Sequence, residues 1–171
     1  MRIDFQTHDI LVQVAGDKRK GIWASSVFAK NSKPIRTAGS LPTSASLHTL
    51  QLIALATSLR GISKGQHTRL GQNVPRGVYK PRLMAVTMDA TFAEALKGLL
   101  QRDVTAKPLR AGKNFLNIAR QQLARFDVTI QTVDDPSELV LLNWARKNIV
   151  DPKLIAGIPP SLAASVVSAV V

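Results

Sequence analysis

Residues 47, 50, 52, 53, 55 and 59 are all leucine or isoleucine. On a helix these positions surround much of the circumference, and a helix that is apolar on most sides must be covered on most sides. Thr43 or Ser44 stands where the N-cap of such a helix belongs. The preceding residues read as strands. Ile3 and Phe5 alternate with Asp4 and Gln6, and Ile10, Leu11, Val12 and Val14 follow, which predicts a strand over 2–14. Gly16-Asp17 followed by Lys18-Arg19-Lys20 marks a turn. Residues 21–30 form a second strand, with Trp23, Val27 and Phe28 for the core. Residues 34–41 form a third, with Pro34 at its beginning. The three make an antiparallel meander.

Residues 60–82 (RGISKGQHTRLGQNVPRGVYKPR) are rich in Gly, Pro, Arg and Lys and read as a long basic loop. Leu83 to Met88 is apolar nearly throughout, as a central strand covered on both faces should be. A helix over 90–101, a second basic connector over 102–113, a helix over 114–124, a strand over 126–133 and a last helix to about 148 complete the pattern. The order β-β-β-α-β-α-α-β-α implies an α/β domain with a mixed five-stranded sheet, three antiparallel strands and then two more, flanked by helices.

A chain of 171 residues with 45% apolar content suits one domain with a real core. Residues 1–150 are assigned to that domain, with 60–82 as a basic insertion, and 151–171 to a C-terminal tail. There is no cysteine, which excludes disulfides and thiolate metal sites and fits a reducing compartment. The N-terminus has no continuous apolar region of the signal-peptide kind. Residues 154–171 carry no charge, but Pro159-Pro160 breaks them as a membrane span. An uncharged chain end needs covering, so 152–171 is expected to meet a protein partner or a second copy of the chain.

Charge points to the ligand class. Twenty-three Lys and Arg against eleven Asp and Glu give +12. Such an excess attracts polyanions, and counterion release then drives binding. Residues 61–118 carry ten basic and three acidic groups, whereas 119–171 carry five of each, so the middle of the chain is the expected contact surface. The residues assigned to nucleic acid are Arg60, Lys64, Arg69, Arg76, Lys80 and Arg82 in the first basic loop, with Tyr79 as a stacking side chain. Lys107, Arg110 and Lys113 of the connector join them. Charge reads phosphate, so DNA, RNA and hybrid remain equally open.

Three stretches resemble the ribonuclease H family, specifically the bacterial type 1 enzymes. Residues 83–92 (LMAVTMDATF) resemble its fourth strand, which ends in a catalytic Asp at the start of a helix. Ala106-Lys107-Pro108-Leu109 with Asn114-Phe115-Leu116 resembles the basic substrate-binding connector. Phe126-Asp127-Val128-Thr129-Ile130 and the run from Glu138 to Arg146 resemble the last strand and helix. The resemblance implies four carboxylates holding two divalent ions that activate water. Asp89 matches one of them. The first-strand position falls on His8, with Asp9 one step off, and a one-residue step reverses a side chain's face. The first-helix position falls near His48, and the last-helix position on Leu142 or Asn143. Asp89 also suits the N-cap of the following helix.

The expected function is therefore a nucleic-acid-binding, catalytically inactive ribonuclease H-like domain within a nucleoprotein assembly, with no cofactor. The alternative is a metal-dependent nuclease with a rearranged site of Asp4, Asp9, Asp89 and Asp135, using magnesium or manganese. A transition-metal site of His8, His48 and Asp89 is a further alternative.

Overall fold

The run ILVQVAGD forms the central strand β1 (Ile10–Asp17), and Ile10, Leu11, Val12, Val14 and Ala15 are all buried. It carries apolar side chains on both faces because helices cover both. The computed structural model describes residues 6–63, 80–103, 105–134, 136–149 and the backbone of 167–170. Asp4, Lys64, Arg69, Arg76, Tyr79 and Asp135 lie outside the described residues. The first strand thus begins at Ile10 rather than at residue 2, and residues 6–9 are turn and coil that lead into it.

Strand β1 pairs antiparallel with β2 (Ile22–Ala29), from Ile10 opposite Ala29 to Asp17 opposite Ile22. The connecting turn ends at Gly21, whose φ of +64° and close approach to the Leu41 carbonyl leave no room for a side chain. Asp17 organises this turn by accepting the backbone N–H groups of Arg19 and Lys20, at 3.0 and 3.3 Å. Strand β3 (Ile35–Ser40) continues the meander against β2.

Helix α1 (Leu47–Ser63) crosses the sheet with Leu50, Leu52, Leu55 and Leu59 fully buried. At about 1.5–3 kcal/mol for each fully buried leucine, packing rather than local propensity holds this helix in place. Strand β4 (Arg82–Thr87) then runs parallel to β1, and β5 (Asp127–Thr132) runs parallel to β4. Helices α2 (Ala90–Gln101) and α3 (Lys113–Leu123) share the larger core with α1, Ile10, Val12, Val14 and Trp23. Helix α4 (Ser137–Asn148) closes a smaller core of Ala15, Ile22, Ala24, Ala38, Leu141, Leu142 and Ala145. The period-two alternation along β1 therefore divides its side chains between two apolar layers. Arg146 of α4 clamps Asp17 with two guanidinium contacts of 2.7 and 3.0 Å. Burial pushes the Asp17 pKa up, but the Arg146 hydrogen bond and charge with the two turn N–H groups outweigh it, and the carboxyl sits below its ordinary value.

Five strands in the order β3-β2-β1-β4-β5, three antiparallel and two parallel to the first, with helices on both faces, make the ribonuclease H-like sheet that the resemblance implies. One strand is additional. Strand β6 (Val167–Val170) pairs antiparallel with β3, Ile35 opposite Val170, and covers that edge of the sheet. The sequence reading gives 152–171 to a partner, but residues 167–170 hydrogen-bond within this sheet. Among the described residues no helix is long and apolar enough to cross a membrane.

Candidate functional site

Polar side chains from four elements gather around the C-terminal end of β4. Thr87 ends that strand, and Asp89, two residues on, is the N-cap of α2. The Asp89 Oδ1 accepts the Phe92 backbone N–H at 3.1 Å, which satisfies a helix-start donor. The Asp89 backbone N–H donates to Thr87 Oγ1 at 3.0 Å, so the Thr87 hydroxyl proton is free to donate to Gln51 Oε1, at 2.6 Å. That orients the Gln51 amide, and its Nε2 donates to Asp89 Oδ2 at 2.8 Å. Asp89, Thr87 and Gln51 thus close a ring of hydrogen bonds. Gln51 is 1% exposed, and each of its contacts replaces one that water cannot provide there.

His48 lies one turn before Gln51. Its Nδ1 accepts the Arg110 backbone N–H at 3.1 Å, which places the proton of the neutral ring on Nε2, and that nitrogen is 4.0 Å from Asp89 Oδ2. Burial lowers the His48 pKa, the nearby Arg110 charge lowers it further, and attraction to Asp89 does not compensate. His48 is therefore a neutral ring near pH 7, packed edge-to-face on Phe92 with centroids 5.7 Å apart.

Around the end of β4, on the α4 side, Glu138 Oε2 accepts the Met88 backbone N–H at 2.9 Å. Burial pushes the Glu138 pKa up, the Asp89 charge adds to the rise, and the Met88 hydrogen bond opposes it. Next to Glu138, Ser137 Oγ accepts from Gln13 Nε2 at 2.8 Å. Gln13 is buried in β1 opposite Val86, level with the end of β4.

A raised carboxyl pKa means that Glu138 contributes full stability below its ordinary value, about 4.3, and loses it as pH rises through the folded-state value. Glu138→Gln should therefore gain thermal stability relative to the parent as pH climbs from about 4.5 to 7. The pH dependence from His48 has the opposite sense, with stability lost as pH falls below about 6.5, and it cancels in this comparison. Melting curves at the two pH values test it; a difference that ignores pH would contradict the assignment.

The sequence-predicted residues divide sharply. Asp89 is in the cluster, with its capping role, and His48 is beside it. His8 and Asp9 are not. They precede β1 at the end of the sheet where β4 begins, the end opposite Asp89. His8 contacts Thr7, so His8, His48 and Asp89 do not form a metal triad. The Asp9 carboxylate receives the Arg82 backbone N–H at 2.8 Å and its guanidinium at 3.1 Å, and pins the start of β4 to the start of β1. That removes Asp9 from a rearranged carboxylate site, and it ties the half-exposed Arg82 side chain to Asp9. Leu142 belongs to the smaller core, and Asn143 accepts from Arg146.

Gln13, Gln51 and Glu138 are the residues that sequence reasoning missed. The signal for the two glutamines was a polar residue inside an apolar run, ILVQV and LHTLQLIAL, where a buried amide needs partners. Two divalent ions require several hard anionic oxygens. Among the described residues this cluster provides Asp89, with both oxygens already accepting, Glu138, whose ionisation burial disfavours, and two neutral carboxamides. That donor set does not fit a pair of ions, and no hydrolytic step is assigned to it. Among the described residues no group of three or more His, Cys, Asp or Glu side chains is close enough to share an ion.

The basic residues fall into groups. Arg110 and Lys113 are exposed beside the start of α1, where the Arg110 carbonyl accepts from Ser46 Oγ. Lys80 and Lys107 line a groove elsewhere, with Arg102 and Arg120. Arg60 is exposed in the last turn of α1.

Solved structures similar to this chain include a type 1 ribonuclease H with the type 2 active-site motif. It is 15% identical with a TM-score of 0.49, and the match covers 85% of this chain and 74% of that one. Another is the N-terminal ribonuclease H domain of a Mycobacterium tuberculosis protein, solved as a fusion with maltose-binding protein. It is 10% identical with a TM-score of 0.48, over 81% of this chain and 96% of that one. No family model matches the chain, and no curated protein matches it.

Proposed function

We propose that this chain is a nucleic-acid-binding domain of ribonuclease H-like fold without hydrolytic activity, working as a subunit or accessory factor of a larger nucleoprotein assembly. The observation that carries the loss of hydrolysis is the Gln51 amide donating to Asp89. A carboxylate in place of Gln51 would repel Asp89 unless a cation lay between them. The amide instead satisfies Asp89 directly and holds the site together with no ion. On β1 the buried Gln13 is likewise a neutral amide, donating to Ser137.

The net charge of +12 supports the nucleic-acid ligand. Arg110 and Lys113 are assigned to phosphate contacts, because both are exposed and their connector is anchored by backbone bonds to His48 and Ser46. Arg110→Glu with Lys113→Glu should weaken binding to oligonucleotides and reduce the slope of log K against log salt by about 0.7–0.9 for each phosphate that is no longer neutralised. Fluorescence anisotropy over a salt series checks this. Unchanged affinity and slope would refute the assignment.

A second reading, a metal-dependent nuclease, has one observation in its favour: Asp89 and Glu138 are close enough for the charge of one to raise the pKa of the other. In that reading Asp89 and Glu138 bind magnesium or manganese, and Asp9, at the other end of the sheet, does not.

A further inference from the structure

At the C-terminal ends of α2 and α3 the connector between them borders an open groove of about 1160 Å³. Four cations line it: Lys80, Arg102, Lys107 and Arg120, all exposed. The one acid among its lining residues, Asp103, already accepts the Thr105 N–H and hydroxyl. Its floor is aliphatic, with Leu99 and Leu116 half-buried and Leu100 36% exposed. Gly98 fixes one wall, because a side chain there would collide with Ala106 of the connector. Arg102 and Arg120 also offset the negative ends of the α2 and α3 dipoles. Lys80 and Lys107 belong to no helix, so that explanation leaves half of the rim unaccounted for.

We propose that this groove docks an acidic amphipathic helix of a partner protein, leucine-like side chains on the floor and carboxylates against the rim. Charge complementarity sets the sign of the partner, and the aliphatic floor sets its class. Nucleic acid without base pairing is favoured by exposed aromatic faces for stacking, and the one aromatic among the described lining residues, Phe126, is 6% exposed. The segments 1–5, 64–79 and 150–166 are not acidic. Residues 64–79 have three basic groups and no acid, while 1–5 and 150–166 each balance one acid with one base. The helix-in-groove mode uses anchors at i, i+3, i+4 and i+7, which suits a floor shared by two helix ends and a connector.

The test uses the full chain and a labelled peptide with leucines at that spacing and glutamates on both flanks. A scrambled peptide of equal charge and a single-stranded oligonucleotide serve as controls. The expected result is binding that shifts the methyl resonances of Leu99, Leu100 and Leu116. It should weaken roughly tenfold or more for the scrambled peptide and for Arg102→Glu with Arg120→Glu, as reversal of rim charges beside a desolvated anchor should do. Leu100→Asp, a change at an exposed position, should act likewise with the remaining methyl spectrum intact. Equal binding of both peptides would overturn the proposal by reducing the groove to bulk charge. Oligonucleotide shifts at the same leucines would overturn it in favour of nucleic acid. An absence of shifts at these leucines would also overturn it, whatever the oligonucleotide affinity of the chain.

Discussion

Gln51→Glu should destabilise the folded chain by about 3–5 kcal/mol at neutral pH, the cost of an uncompensated buried charge. The substitution changes almost no volume. It replaces the Nε2 donor, 2.8 Å from Asp89 Oδ2, with an oxygen of like charge at a position that is 1% exposed. Thr87 can still donate to the other oxygen, so the loss comes from the Asp89 contact and from burial of the new charge. The new carboxyl will have a raised pKa, so the variant should recover stability as pH falls and lose it as pH rises through that value. Urea unfolding at pH 7.5 and 5 measures both effects. Manganese should restore part of the loss in the variant and leave the parent unchanged, since only the variant places two carboxylates face to face. A variant as stable as the parent at pH 7.5 would mean that the Asp89–Gln51 hydrogen bond does not hold the site.

Phe92→Ala should cost about 3–5 kcal/mol, the range for removing a large aromatic side chain from a packed core. Phe92 is 1% exposed and belongs to the larger core, and its ring supports His48 from the side. The backbone N–H at position 92 would remain to bind Asp89, so the cap of α2 survives and the loss reports packing. His48 gives a second readout. Water entering the vacated space relieves the burial that depresses its pKa, and NMR titration should show the value moving up toward the ordinary 6.5. Leu139→Ala on α4, at a side chain 55% exposed, should stay within about 0.5 kcal/mol. Similar losses at the two positions would contradict the placement of Phe92 in the core.

The layers of the fold were legible in the sequence because they rest on long periodic signals. The leucines of α1 and the apolar run from Leu83 stand where the pattern puts them, and the first turn is displaced slightly, with Gly16 and Asp17 still in β1 and the turn at 18–21. The start of β1 was not. Alternation at Ile3 and Phe5 extends the strand signal toward the N-terminus, whereas the strand begins where the run becomes apolar on both faces, at Ile10. That displacement put His8 and Asp9 before the strand, at the end of the sheet opposite Asp89. The amides escaped for a different reason. A search for acids passes over a glutamine, and only the partners of Gln13 and Gln51, Ser137, Thr87 and Asp89, distinguish these buried amides from incidental polar residues. Glu138 was visible as an acid in the first turn of α4. Its contact with Met88 spans 50 residues of sequence, and no local pattern reports such a contact.

The most direct test of the inactive-site reading is a single assay on the parent chain, binding and cleavage of an RNA–DNA hybrid followed in magnesium and then in manganese. The expected result is salt-sensitive binding with no cleavage in either metal. Metal-dependent cleavage that disappears in Asp89→Asn would contradict it and make Asp89 and Glu138 a working catalytic pair.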